Sequence, residues 1–173
     1  MSTAEACTVD TGKATFSAGQ VGLVAAVAAT DIFTISGFAG RKIKVLRIEV
    51  SGIATAAGTQ PYSVLKRTTA NTGGTATVLS PAIHDGTAVS AAVVRTYTAN
   101  PTTGTLQGIV QAKRGTLLTA AAASPASPTV FDFTMPGSKF PTLNSENDVL
   151  ALNFNGATAA GNALDIFATW TEE

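Results

Sequence analysis

Along much of this chain, apolar and polar residues alternate in short runs, the period-2 signature of half-buried strands. In residues 31–37, Phe33 and Ile35 oppose Ile32, Thr34 and Ser36, and Gly37 closes the run. In 163–173, Leu164, Ile166, Ala168 and Trp170 alternate against Asp165, Phe167, Thr169 and Thr171. The strongest run is RKIKVLRIEVSG, 41–52, whose parity slips at Val45–Leu46. A β-bulge there restores a single core-facing set and turns Lys42, Lys44, Arg47 and Glu49 outward. Further strands are predicted at 60–68, 92–98, 105–113, 129–135 and 148–156. The alanines of VGLVAAVAA, 21–29, allow a helical start before the strand at 31.

Turn chemistry separates these runs and suggests their pairing. The strand at 60–68 follows a small-residue turn and is expected to form a hairpin with 41–52. The run at 105–113 reads as the return strand of 92–98, and 148–156 with 163–173 as a closing hairpin. Prolines mark 120–128 as a loop, and a long connection at 70–90 suits strands that change sheet. Eight or nine short strands at roughly ten-residue spacing predict an all-β chain, an antiparallel β-sandwich of jelly-roll type. The expected organisation is one β-sandwich domain, 21–173, behind a polar extended arm, 1–20, that is also readable as a loose first strand.

One sequence echo asks for an explanation. KRTTANTGGT, 66–75, returns as RTYTANPTTGT, 95–105. Asparagine tolerates left-handed backbone and caps its own turn, glycine accepts positive φ, and proline presets a turn. Shared turn chemistry therefore explains the echo better than a duplicated ligand site.

Composition narrows the classes. The 173 residues fit one domain with a real core. Only 13% are charged, against about 25% in an average domain. Alanine and threonine make about a third of the chain. A weakly charged, Thr-rich surface suits contact with other subunits. The net charge is zero, which offers no general attraction to nucleic acid or membrane. The charges are unevenly placed: ten basic and five acidic residues lie at or before Gly115, one basic and six acidic after it. That asymmetry either steers neighbouring subunits or lets opposite charges meet within one molecule. The single cysteine, Cys7, permits no internal disulfide, which fits assembly in a reducing cytoplasm.

Candidate chemistry is thin. His84, with Asp85 and a serine, is the one set that can be read as a hydrolase triad; a turn or surface histidine is the plainer reading. One histidine and scattered carboxylates do not supply the three or four ligands a metal wants. TGGT, 72–75, lacks the Gly-Lys-Ser/Thr of a phosphate loop. No cofactor and no enzymatic activity are expected. Arg41, Lys42, Lys44 and Arg47 form the one basic cluster, read as a solvated or subunit-contact strand rather than a nucleic-acid site, because no aromatics interleave it and the net charge is zero. Phe33, Phe131, Phe133, Phe154, Phe167 and Trp170 are expected in the core.

Six segments together, ATDIFTISG, RIEVSGIATAAGT, VLKRTTANTGGT, VVRTYTANPTTGT, DVLALNFNG and DIFATWTEE, resemble small structural proteins of tailed-bacteriophage virions. The resemblance covers most of the chain from Ala29 onward and rests on strands and turns, so it transfers no site residues. It implies a virion component. Placement as a capsid decoration (cement) protein follows as an inference, with the major capsid protein and copies of itself, as a homotrimer, as partners. The alternative place is the tail or a fibre, with a receptor-binding role.

Overall fold

The computed structural model describes residues 13–84, 86–121, 126–135, 137, 139–156 and 163–173. Among them are twelve strands and no helix. They are β1 (Ala14–Leu23), β2 (Asp31–Ser36), β3 (Ile43–Ala54), β4 (Gly58–Arg67), β5 (Thr75–Leu79), β6 (Ala82–Ile83), β7 (Val93–Ala99), β8 (Leu106–Thr119), β9 (Thr129–Asp132), β10 (Thr142–Leu143), β11 (Val149–Asn153) and β12 (Ala163–Glu172). They form one curled sheet in the order β5-β7-β2-β11-β4-β8-β3-β12-β1-β6, with β9 and β10 paired to β3 off that path. The end strands β5 and β6 are joined by only Ser80 and Pro81, so the sheet curls until its ends meet.

Each well-patterned run became a strand, and the expected bulge is present. Thr169 pairs with Arg47 and Trp170 with Val45, which leaves Leu46 as the extra residue. Ile43, Val45, Ile48 and Val50 are thereby buried on one side of β3. On β12, Leu164, Ile166, Ala168 and Trp170 are buried as the alternation required. Phe16 stacks near Trp170 and Tyr62 meets Phe154 edge-on inside one continuous core. Full burial of such a side chain contributes about 1.5–3 kcal/mol. Burial also pushes the Tyr62 hydroxyl up to about 12.

Several expectations need correction. Twelve strands replace eight or nine, because β5, β6 and β10 are short and weakly patterned. Of the first twenty residues, 1–12 lies outside the described residues, and Ala14–Gln20 takes the first-strand alternative as part of β1, paired with β12 on one side and β6 on the other. Its Phe16 and Ala18 enter the core. The 21–29 stretch finishes β1 and turns into β2 without a helix. None of the three expected hairpins forms: β3 pairs with β12 and β9, β4 with β11 and β8, β7 with β2 and β5. The sheet is mixed rather than antiparallel, since Ile53 and Ala54 run parallel to Leu118 and Thr119 at the corner joining β3 to β8. Phe167 is 41% exposed, because it shares the outward parity of Asp165 and Thr169.

The echo has a structural reason. The first copy leaves β4 and enters β5; the second leaves β7 and enters β8. The strands exchange partners: β5 pairs with β7 and β8 with β4. Half of the sheet therefore reads the same from both ends, as outbound, inbound, central, central, inbound, outbound strands. Each connection passes three strands, about 19 Å at ordinary strand spacing. Each has only six or seven residues (100–105 and 68–74), which reach roughly 20 Å when extended. They run side by side and bond to each other, Thr72 N to Thr102 O at 3.0 Å and Thr102 N to Thr72 O at 2.8 Å.

Candidate functional site

Beneath those connections lies a buried polar cluster. The Asp31 carboxylate accepts from Arg67 Nε (2.7 Å) and Nη2 (2.8 Å), Asn71 Nδ2 (2.8 Å) and Asn153 Nδ2 (2.6 Å). Arg67 also donates to Gly104 O, and the Gly104 amide donates to Asn71 Oδ1. The Asp31 side chain is fully enclosed and that of Arg67 is 6% exposed. Asn100 extends the pattern by accepting from the Thr30 amide and donating to Ala28 O. Every strong donor here faces an acceptor, so the cluster locks the two turns and presents nothing to a ligand. Sequence reading treated the TAN turns separately; their shared length and chemistry were the available signal that they act together.

The basic strand residues do not form one patch. Lys44 donates to Glu173 Oε1 at 2.6 Å, and Lys13 pairs with the same oxygen. The hydrogen bonds from Lys13 and then Lys44 pull the Glu173 carboxyl down to about 2. Arg47 pairs with Glu49 two residues along its own strand. Arg41 and Lys42 are exposed, and their side chains have no partner among the described residues. They rim a shallow hollow of about 420 Å³ with Gly40, Asn144 and Glu173. The basic half and the acidic tail thus meet, in part, inside one molecule.

A second surface was not singled out from sequence. β8 closes against β9 only near Gly115, where an added Cβ would lie 2.1 Å from Thr129 Oγ1. Lys113 there donates to Val130 O and sits 5.6 Å from the Phe131 ring centre. Toward Leu106 the strand stays paired with β4 but has no ladder partner on its other side among the described residues, and a groove of about 510 Å³ lies beside it. Val110, Phe133, Met135 and Phe140 supply its apolar lining; Lys66, Lys139 and Asp132 its charges. Hydrogen bonds from the Thr134 hydroxyl and amide hold Asp132 below its ordinary range, helped by Arg47 and Lys113. The Gln111 Oε1 atom is buried without a partner among the described residues. The groove had a sequence signal: LQGIVQAKRG follows neither a clean period of 2 nor of 3.6, because β8 carries bulges at Gln107 and Val110.

The expected catalytic candidates are placed as follows. His84 Nε2 lies 2.9 Å from Ser17 Oγ. His84 is exposed, Ser17 sits in the middle of β1, and Asp85 is outside the described residues, as is Cys7. An activated serine needs its histidine oriented by a third group, and no such partner is present among the described residues. Among those residues, no three or more His, Cys, Asp or Glu side chains cluster as metal ligands. Nor does any described helix have the length and apolarity to cross a membrane. Val21 near the end of β1, and Val24 and Val27 in the turn after it, stand 84%, 56% and 70% exposed.

No protein-family model, curated protein or solved structure matches this chain. The resemblance to phage virion proteins therefore rests on the six quoted segments alone.

Proposed function

We propose that the chain is a non-enzymatic virion structural protein of a tailed bacteriophage, a decoration or cement protein that binds the major capsid protein shell and stabilises the head. It assembles in the host cytoplasm and sits on the capsid surface as a homotrimer. In this reading the curled sheet is a flattened, jelly-roll-like sandwich, with β5-β7-β2-β11-β4-β8 as one face and β3-β12-β1-β6 as the other. The observation that carries the proposal is the resemblance of the six strand-and-turn segments to such proteins.

Physical features support it. Arg41 and Lys42 are exposed and unpaired among the described residues, open to an acidic neighbour at one corner, while Lys44 and Arg47 are already paired with Glu173 and Glu49. The valines at 21, 24 and 27 offer apolar area at the end of β1 and the exposed turn that follows. Many identical, individually modest contacts on a lattice sum to a large resistance against internal pressure. Cryo-microscopy of the parent particle tests the proposal: copies at symmetry-related points of the head are expected, and density confined to the tail would transfer the chain to a tail or fibre role. Light scattering of the purified chain is expected to give three times the monomer mass.

A further inference from the structure

We infer that the open edge of β8 and the groove beside it take an extended, carboxylate-bearing segment of another polypeptide as an added strand. The inference is independent of the capsid reading. Between Leu106 and Ala112 the backbone of β8 pairs with β4 on one side. On the other side it has no ladder partner among the described residues, since β3 meets β8 only at Leu118 and Thr119. Seven residues suffice for a paired strand, and main-chain bonds to a sheet edge are a common source of peptide affinity.

The side chains favour use over protection. Natural edges that must stay unpaired carry charges or proline along their length. Here no charged residue and no proline falls between Leu106 and Ala112. Leu106 and Ile109 are instead 53% and 63% exposed. The bulge turns Val110 into the groove, toward Phe133 and Phe140. Gln111 lines the groove wall, and its buried Oε1 has no partner among the described residues.

Charge selects the occupant. Lys66, which also donates to Thr142 O, and Lys139 line the groove against one carboxylate, Asp132, and Lys113 and Arg114 continue β8 beside a neighbouring hollow. An incoming strand with apolar residues on one face and Asp or Glu on the other meets both the lining and the cations. Opposite charge at a rim adds modest affinity and strong partner choice.

The test uses the isotope-labelled full chain and two capped peptides about nine residues long, one alternating valine with glutamate and one alternating valine with lysine. The glutamate peptide is expected to shift the amides of 106–112 and of 140–144, and to slow hydrogen exchange along β8 about tenfold. Lys139→Glu, an exposed position, is expected to weaken that binding about fivefold. The lysine peptide is expected not to bind. Failure of the glutamate peptide, equal binding by both, or shifts confined to another surface would overturn the inference and leave the bulges as edge protection. Full exchange protection of 106–112 without peptide also overturns it. Protection lost on deleting residues 1–12 would name this chain's own start as the occupant; protection lost on dilution would name a second copy.

Discussion

Two regions of the molecule handle polarity in opposite ways. Under the crossing turns, Asp31 accepts four hydrogen bonds and Arg67 is satisfied by a carboxylate and a carbonyl. Along the β8 groove, a buried amide oxygen has no partner among the described residues, apolar side chains face outward and cations outnumber acids. Both stretches, KRTTANTGGT and LQGIVQAKRG, carry two glycines and one Lys-Arg pair and no acid. Closure distinguishes them: the turn region is complete within one chain, and the groove becomes complete only when something else enters. A saturated polar cluster holds a fold together, whereas an unsaturated edge beside a cavity is a surface for binding.

Substitutions on the two sides should separate sharply. The largest effect is expected from Asp31→Ala, which strands a buried guanidinium and two amides. Such a loss costs about 3–5 kcal/mol, or roughly a 10 °C fall in Tm at this chain length, measurable by thermal unfolding. Asp31→Leu with Arg67→Met should recover part of that loss but not all, because Asn71, Asn153 and Gly104 keep unpaired groups. Full recovery would mean that the cluster adds no stability beyond filling space.

Gly104→Ala is expected to cost about 1–3 kcal/mol, since its Cβ would lie 1.9 Å from Thr69 O and push the paired turns apart. A chemical-denaturation midpoint unchanged by this substitution would break the picture of two mutually bonded connections.

Acid provides a gentler probe near the basic corner. The Glu173 carboxyl is held down at about 2 by Lys13 and Lys44, so its contribution to stability is present above its ordinary range near 4.5 and is lost as pH falls toward 2. Glu173→Gln should lower the urea midpoint modestly at neutral pH, flatten the fall between about 4.5 and 2, and leave stability near pH 2 nearly unchanged, as urea midpoints across pH would show.

The smallest effect is expected on the groove side. Ile109→Thr removes an outward-facing apolar side chain and should change stability by no more than about 0.5 kcal/mol. A large loss would mean that the groove is a structural part of the core, and the contrast between the two regions would fail.

Local pattern was legible wherever neighbouring residues alone set it. The slip at Val45–Leu46 correctly announced a bulge, and the alternation through Leu164 and Trp170 correctly announced a buried face. Both follow from the pleat, in which successive side chains point to opposite sides. The same parity applied to Phe167 should have placed it outside, but aromatic content overrode period in the reading. The candidate site was less visible. Arg41, Lys42, Lys44 and Arg47 are adjacent in sequence, yet Glu173 and Glu49 divide them into neutralised and free pairs.

By itself, then, the sequence determined strand content, the bulge in β3, the inward set of β12 and the turn chemistry of the two TAN segments, because each depends on backbone geometry within a few residues. Tertiary structure alone decided that β8 returns along β4 rather than β7, that the two turns bond to each other, that Asp31 meets Arg67, and that one edge stays open. A pleated strand can pair with any other of suitable pattern. The choice among partners is made by the free energy of closing the whole sheet around one core, which no local window contains.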